Sequence, residues 1–407
     1  MFLEVPDVAA LLAASAPPSS RCVGLEVRGE TAAGENYGST FLMLNAHFED
    51  KQGNKSTVPA VCKRLPPTEY LRDTFNVDVS FPKEVDFYRY VVPAMEELQR
   101  DLRIPEAERF QSFPKMLGAR IGSRDDAVVD DDAILVLEDL GSQGYRCGSR
   151  GNGMDVEQCR VAVTELARFH ALGIALRSRR PAVFSGDAVQ KACVFYMHNK
   201  REESDKLYLR FAENSLDMVL EHVPEVRSLV DEATLRKAMK TLKNDSLPAG
   251  PFTTILHEDF WVNNMMFAYD KQGKPDRLKM VDFQLTRIGP ASSDLVFFLY
   301  SSADSDALSQ VDTLLREYHA ELVRYARLHG VDTSDMDWDA FQRDLATTVP
   351  VEFSHLFVMI SIIRANQAVE KSDSHSDAVF SSKLGMSEAA KTRYVELLSH
   401  WVQRGWM

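Results

Sequence analysis

Four residues offer chemistry in a recognisable order: His257, Asp259, Asn264 and Asp282. They sit in two runs, LHEDFWVNNMMF from Leu256 and KMVDFQ from Lys279, separated by a short polar interval with Gly273. Asp259 and Asn264 can lie at the two ends of one tight loop, while Asp282 leaves a neighbouring apolar strand formed by Leu278, Met280 and Val281. Asp259 would then orient a hydroxyl, and Asn264 and Asp282 would supply hard oxygen ligands. Magnesium takes one or two such protein ligands and fills its remaining positions from phosphate and water. The chemistry implied is phosphoryl transfer from a nucleotide to an alcohol. In that reaction the base mainly aims the attacking oxygen at the γ-phosphorus through a loose transition state. His257 has no necessary proton role and is expected to brace the loop. Either run alone can arise by chance; in this order and separation they mark a site.

Such a site needs elements that hold a nucleotide. Val23, Leu25 and Val27 alternate along one strand, and Thr40 to Phe48 forms another. Between them lies a glycine-rich turn, Gly29 to Ser39, whose part Gly34, Glu35, Asn36, Tyr37, Gly38 and Ser39 is expected to cradle phosphates. Glycines there let backbone amides approach phosphate oxygens closely. The turn lacks the G-x-x-x-x-G-K-[ST] pattern and no helix follows, which disfavours a helix-capping phosphate loop or a dinucleotide fingerprint. An ordinary hairpin loop is the alternative. A second turn at Asp50 to Lys55 leads into Val58 to Leu65, where Lys63 sits late in an apolar strand. Its ammonium is either fixed against phosphates or on the solvent side of an edge strand. The run Phe81-Pro-Lys-Glu84 reads as a helix start with Pro82 near its first turn, and Glu84 there can meet Lys63. An apolar strand, Ala133 to Leu137, then breaks at Glu138, Asp139 and a glycine-rich stretch. This reads as a hinge whose backbone at Leu137, Glu138 and Asp139 can bond adenine.

Downstream the pattern is helical. Val163, Leu166, Ala167, His170 and Ile174 share one stripe, as do Val311, Leu314, Tyr318, Leu322 and Tyr325 before a stop at Gly330. Further helices are expected over roughly Val351 to Lys371 and Ser387 to Gln403. His170 is expected to be a satisfied core histidine. After Gln284 only nine residues precede Asp294, which opens an apolar helix with Ser292 or Ser293 as its cap. That spacing leaves no room for a peptide platform, so the acceptor should be a small molecule and no protein substrate is expected. Asp294 is expected to anchor the helix start, with positioning of the catalytic loop from behind as the alternative.

The ordered series GENYGS, VCKRLP, F-x-x-E-x-x-FY, LVLEDL, LARFHAL, H-x-DFWVNN and VDFQ, from about Val23 to Tyr300, resembles the ecdysteroid-kinase-like branch of the choline and aminoglycoside kinase superfamily. The resemblance implies an α+β, protein-kinase-like two-lobed fold. The small β-rich nucleotide-binding lobe would span residues 1–138 and the mainly helical catalytic and acceptor-binding lobe 139–407. It also implies ATP and Mg2+ as cofactors, a small-molecule hydroxyl as acceptor, and ecdysteroid-like sterols among the candidate acceptors. Carried over by motif, Asp259 is catalytic, Asn264 and Asp282 hold metal, and Lys63, Glu84 and the stretch Gly34 to Ser39 hold the nucleotide. Glu258 departs from the family's usual glycine between histidine and aspartate; pointed inward it would raise the Asp259 pKa by like-charge repulsion, and it is expected to point outward. A choline- or aminoglycoside-type kinase, or a pseudokinase that binds without catalysis, remains an alternative.

The chain of 407 residues, 45% hydrophobic, is long enough for two lobes. Its net charge of -13 argues against nucleic-acid binding, which depends on basic residues neutralising phosphates. Five scattered cysteines without metal spacing fit a reducing, cytoplasmic setting. The apolar run Val8 to Ala14 reads as a short helix rather than a leader, and no stretch reads as long enough to span a bilayer, so no membrane partner is expected. Phe260, Trp261 and Phe298 could line an apolar acceptor site, box a quaternary ammonium, or be core.

Overall fold

The computed structural model describes residues 11–12, 19–30, 39–124, 126–149, 151, 153–194, 201–241, 250–364 and 386–407. Of the expected phosphate turn, Gly34, Glu35, Asn36, Tyr37 and Gly38 lie outside the described residues, and Ser39 directly precedes a strand. Of the expected N-terminal helix, only Leu11 and Leu12 are described, and they are helical.

Five antiparallel strands make the N-terminal sheet: β1 (Ser20–Glu30), β2 (Thr40–Asp50), β3 (Lys55–Arg64), β4 (Met116–Arg120) and β5 (Ile134–Glu138), in the order β1-β2-β3-β5-β4. Side chains alternate across a strand. Leu44, Ala46 and Phe48 of β2, with Ile134 and Val136 of β5, therefore fill a small core on one face, while Leu135 and Leu137 join the main core on the other.

Between β3 and β4 the chain forms α1 (Val77–Asp86), one π turn (Phe87–Val91) and α2 (Val92–Asp101). Here the expected helix start is corrected. The helix begins at Val77, after Asn76 in the left-handed region, so Pro82 lies inside it. The π turn closes with Val92 N–H on the carbonyl of Phe87, just before Pro93, which has no N–H to donate.

The second lobe is built on α3 (Val156–Arg179), α4 (Arg201–His222), α5 (Ser292–Ser302), α6 (Val311–Leu328), α7 (Trp338–Ile363) and α8 (Glu388–Gln403). Asp155 and Gln158 form a reciprocal capping box at the start of α3, and Gly330, at φ 74°, follows the end of α6. Two small sheets carry the chemistry: β7 (Thr253–Leu256) pairs with β10 (Arg287–Pro290), and β8 (Met265–Tyr269) lies between β6 (Arg146–Cys147) and β9 (Pro275–Met280). Gly173 lets α3 press onto β7, since a Cβ there would sit 2.2 Å from the Thr254 hydroxyl oxygen.

α7 corrects two expectations. It starts at Trp338, capped by Asp337, and runs through Pro350; the expected extension to Lys371 lies outside the described residues. Its 26 residues include an 18-residue stretch with a mean hydropathy of 1.5, which reaches the length and apolarity of a membrane span. Yet Phe341, Leu345, Phe353, Leu356, Phe357 and Ile360 are buried in the main core, which accounts for the apolar sequence. Among the described residues the architecture is α+β and two-lobed, a sheet-rich N-terminal part on a helical C-terminal part, in a protein-kinase-like arrangement.

Candidate active site

The site is assembled where the two lobes meet. Lys63, on β3, is 2% exposed, and its ammonium donates to Glu84 Oε2 of α1 at 2.5 Å and to Asp282 Oδ1 at 2.7 Å. Glu84 also accepts the Phe283 backbone N–H. One strand lysine thus joins the helix of the first lobe to the loop of the second. Burial alone would pull the Lys63 ammonium down, but the carboxylates of Asp282 and Glu84 outweigh it and raise its pKa. Burial pushes Glu84 up to about 7, against the lowering effect of Lys63 and with a further push from Asp282.

β7 delivers the catalytic loop. His257 Nε2 donates to the Val281 carbonyl at 3.0 Å, and its pKa is lowered by burial, so the ring is a neutral brace between the loop and the strand leading to Asp282. The chain then turns through Asp259 into a 3-10 turn, Val262–Asn264. Asn264 Nδ2 donates back to the Asp259 carbonyl at 2.9 Å and to its Oδ2 at 2.8 Å, while Val281 N–H bonds the Asn264 carbonyl at 3.1 Å. These bonds bring Asp259, Asn264 and Asp282 together although they are spread over the sequence. Asp259 is partly exposed as a residue, with its carboxyl group enclosed. Burial, followed by the nearby Asp282 charge, raises its pKa to about 7, opposed by the Asn264 hydrogen bond, by the Trp261 indole and by Lys63.

Asp282 has φ 68°, a left-handed conformation that aspartate tolerates better than most residues. That turn sends its carboxylate to Lys63 and the next ring, Phe283, into an aromatic cluster. Phe283 stacks on Phe87 at 4.2 Å and 8°, and meets Tyr88, Phe113 and Phe169 edge-on. The π turn therefore seats the loop from the first-lobe side. Lys83, next to Glu84, reaches the other way and donates from Nζ to the Thr286 carbonyl at 2.8 Å.

Several supports were misread or missed in the sequence. The N-cap of α5 is Ala291, not Ser292 or Ser293, whose hydroxyls instead bond Asp344 and Thr348 (Ser292) and Glu352 (Ser293). Asp294 supports the catalytic loop from behind: its Oδ2 accepts the His257 N–H at 2.7 Å and its Oδ1 the Glu258 N–H at 2.9 Å. His170 steadies it, with Nε2 3.1 Å from Asp294 Oδ2 and Nδ1 2.6 Å from the Tyr318 hydroxyl. Glu258 does not point outward. It is buried against Arg287. Trp261, left unassigned, acts on the Asp259 carboxyl and lowers its pKa, whereas Phe260 and Phe298 pack together in the core. An indole two residues after a candidate base is the signal that could have found it.

At the hinge, Leu137, next to last in β5, pairs with Val61 and Met116. The Glu138 N–H is taken by the Lys115 carbonyl at 2.9 Å, and the Asp139 N–H faces the Pro59 carbonyl at 3.4 Å. The Glu138 carboxylate accepts the Lys115 N–H, and that of Asp139 accepts the Arg28 guanidinium of β1. These contacts tie β1 and the residue leading into β4 to the hinge.

The donor set suits a hard cation held jointly with phosphates. Glu84, Asp259 and Asp282 crowd one ammonium, leaving an excess of negative charge, and all are oxygen donors. Among the described residues no three His, Cys, Asp or Glu side chains are grouped to hold a metal by themselves.

No curated protein matches the chain by sequence. Among solved structures, the ethanolamine kinase of Plasmodium vivax is similar over 91% of this chain and 81% of its own, with a TM-score of 0.41 and 10% identity, a likeness too distant to carry an argument. The match to a family is much stronger: the ecdysteroid kinase-like family covers residues 33–331, a span that includes Lys63, Glu84, Asp259, Asn264 and Asp282. This chain belongs to the ecdysteroid kinase-like family.

Proposed function

We propose that the protein transfers the γ-phosphoryl group of ATP to a hydroxyl of a small molecule, with an ecdysteroid-like sterol as the acceptor class to test first. The observation that carries this reading is the double contact of Lys63 with Glu84 and Asp282, directly beside the Asp259 and Asn264 pair. Lys63 would present its ammonium to the nucleotide phosphates, with Glu84 holding it in place. Asp259 would accept a hydrogen bond from the acceptor hydroxyl and take its proton as the new O–P bond forms and the bond to the β,γ-bridging oxygen breaks, releasing ADP. Asn264 would fix the Asp259 rotamer. Asn264 and Asp282 would hold Mg2+, which supplies charge neutralisation at the phosphates. The surroundings of Asp259 suit a base, since a pKa near 7 matches neutral operation.

The test incubates purified protein and Mg-ATP with a tissue metabolite extract and seeks, by mass spectrometry, products heavier by one phosphate. Asp259→Asn should lower turnover by about 10²-fold or more. A variant with full turnover would remove Asp259 from the mechanism. Phosphorylation of choline or an aminoglycoside in place of a sterol would reassign the acceptor, and nucleotide binding with no transfer across a broad panel would support a pseudokinase. We also propose a cytoplasmic location, in keeping with five free cysteines. Fractionation that recovers the protein from a secretory lumen would overturn it.

A further inference from the structure

Charged groups that this reading leaves unused gather behind the catalytic loop. The Glu258 side chain is 8% exposed, its backbone is left-handed at φ 66°, and its Oε1 lies 2.8 Å from Nε of Arg287, itself 5% exposed on β10. On its other side Arg287 feels the charge of Glu352, from α7, which accepts the Ser293 hydroxyl and has His355 Nδ1 3.6 Å from its Oε2. Lys83 is the second cation near Glu258, and Asp294 the third carboxylate near Arg287. The Glu258–Arg287 pair at its centre is enclosed.

A left-handed φ is unfavourable for a residue with a Cβ, and glutamate has no special tolerance for it. A buried carboxylate is equally unfavourable without a counter-charge. Both conditions meet at the residue immediately before the candidate base. We infer that Arg287 is a positioning residue for phosphoryl transfer: by pairing with Glu258 it holds the 258–259 peptide in the orientation from which the Asp259 carboxylate reaches the cleft. This rests on the reading of Asp259 as the base. Without Arg287, Glu258 either leaves the interior, taking the peptide with it, or turns toward Asp259 and adds a second like charge to that of Asp282. Glycine at 258 would need no such anchor, because it adopts positive φ freely and carries no charge.

The experiment compares Arg287→Met, Glu258→Gln and the double variant Glu258→Gly/Arg287→Met with the full-length protein. The readouts are basal hydrolysis of Mg-ATP, with water as acceptor, and the 1H–15N indole resonance of Trp261, assigned with Trp261→Phe. Arg287→Met should lose kcat by about 10²-fold, the scale of a 1 Å misplacement, with the KM for Mg-ATP unchanged. The indole resonance, which reports the Asp259 carboxylate, should shift with it. The double variant should recover most of both. Equal loss in single and double variants, or an unmoved resonance in Arg287→Met, would overturn the inference. If Arg287→Met does not fold, Glu258→Gln decides the matter, since it keeps the shape and removes the charge; it should show the same split between kcat and KM. If the unmodified protein hydrolyses nothing, the kinase reading fails separately, and the indole resonance still tests the anchor.

Discussion

Replacing Lys63 with methionine isolates the central charge balance. Lys63 and Glu84 are 2% and 1% exposed in their side chains, whereas Asp282 is 18% exposed and can regain water. At an effective dielectric near 20, a contact at about 4 Å is worth roughly 4 kcal/mol before desolvation is subtracted. Removing one partner of a buried pair is destabilising by about 3–5 kcal/mol, because the other charge is stranded. The loss should come mainly from Glu84, and it should depend on pH. The Glu84 pKa is already raised to about 7 from an ordinary value near 4.5, and losing Lys63 raises it further. A carboxyl raised in the folded state penalises folding above its folded pKa, and the penalty fades as pH falls toward its unfolded value. The deficit of Lys63→Met should therefore be small near pH 5 and larger at pH 8, and should keep growing until the pH passes the further-raised Glu84 value. The double variant Lys63→Met/Glu84→Met, uncharged and similar in volume, should recover most of the stability at pH 8 while remaining unable to turn over Mg-ATP. Urea midpoints at the two pH values, read beside ATP turnover, provide the assay. A single variant as unstable at pH 5 as at pH 8, or a double variant no better than the single, would refute the assignment of Lys63 as the counter-charge of Glu84.

Trp261→Phe removes an indole that lowers the Asp259 pKa, so the acidic limb of kcat/KM should move upward by roughly one pH unit; an unmoved limb would show that the indole does not act on the base. Lys83 is buried, with its pKa lowered by burial to about 8 from 10.5. Between those values the unfolded chain binds more protons, so stability should rise with pH by about 3 kcal/mol at most, and Lys83→Met should lose that rise in denaturant titrations from pH 7.5 to 10. Asp294→Ala leaves two loop N–H groups and His170 without their acceptor and should destabilise by about 3 kcal/mol, with turnover falling further than Mg-ATP affinity; equal losses in both would show that the loop is not its target.

The parts that could be read from the sequence were those whose chemistry is local. His257, Asp259 and Asn264 lie within one loop, and a lysine late in an apolar strand asks for a partner wherever it is found. Lys63 does meet Glu84, even though the helix carrying Glu84 begins earlier than its proline suggested. What could not be read were pairings between distant segments. Nothing near Glu258 announces Arg287, which follows 29 residues later and reaches it only because β10 pairs with β7. Its inward turn also depends on a backbone angle that no residue pattern reveals. Asp294 carried two open readings for the same reason, since what it holds in the loop are backbone N–H groups and its one side-chain partner, His170, lies on a distant helix. α7 begins well before the expected Val351, because tertiary packing holds the helix through Pro350.

Two consecutive residues of α1 grip opposite halves of the molecule, Glu84 the strand lysine above and Lys83 the Thr286 carbonyl below. The helix acts as a rivet. In kinases governed by swinging the equivalent helix aside, a single ion pair opens and closes; here such a swing would also tear a buried ammonium from the Thr286 carbonyl and unstack Phe87 from Phe283. A protein wired in this way is expected to stay switched on, with its output set by the supply of acceptor and by how much of the chain the cell makes. Slow amide exchange along α1, with or without nucleotide, is the behaviour that would accompany it.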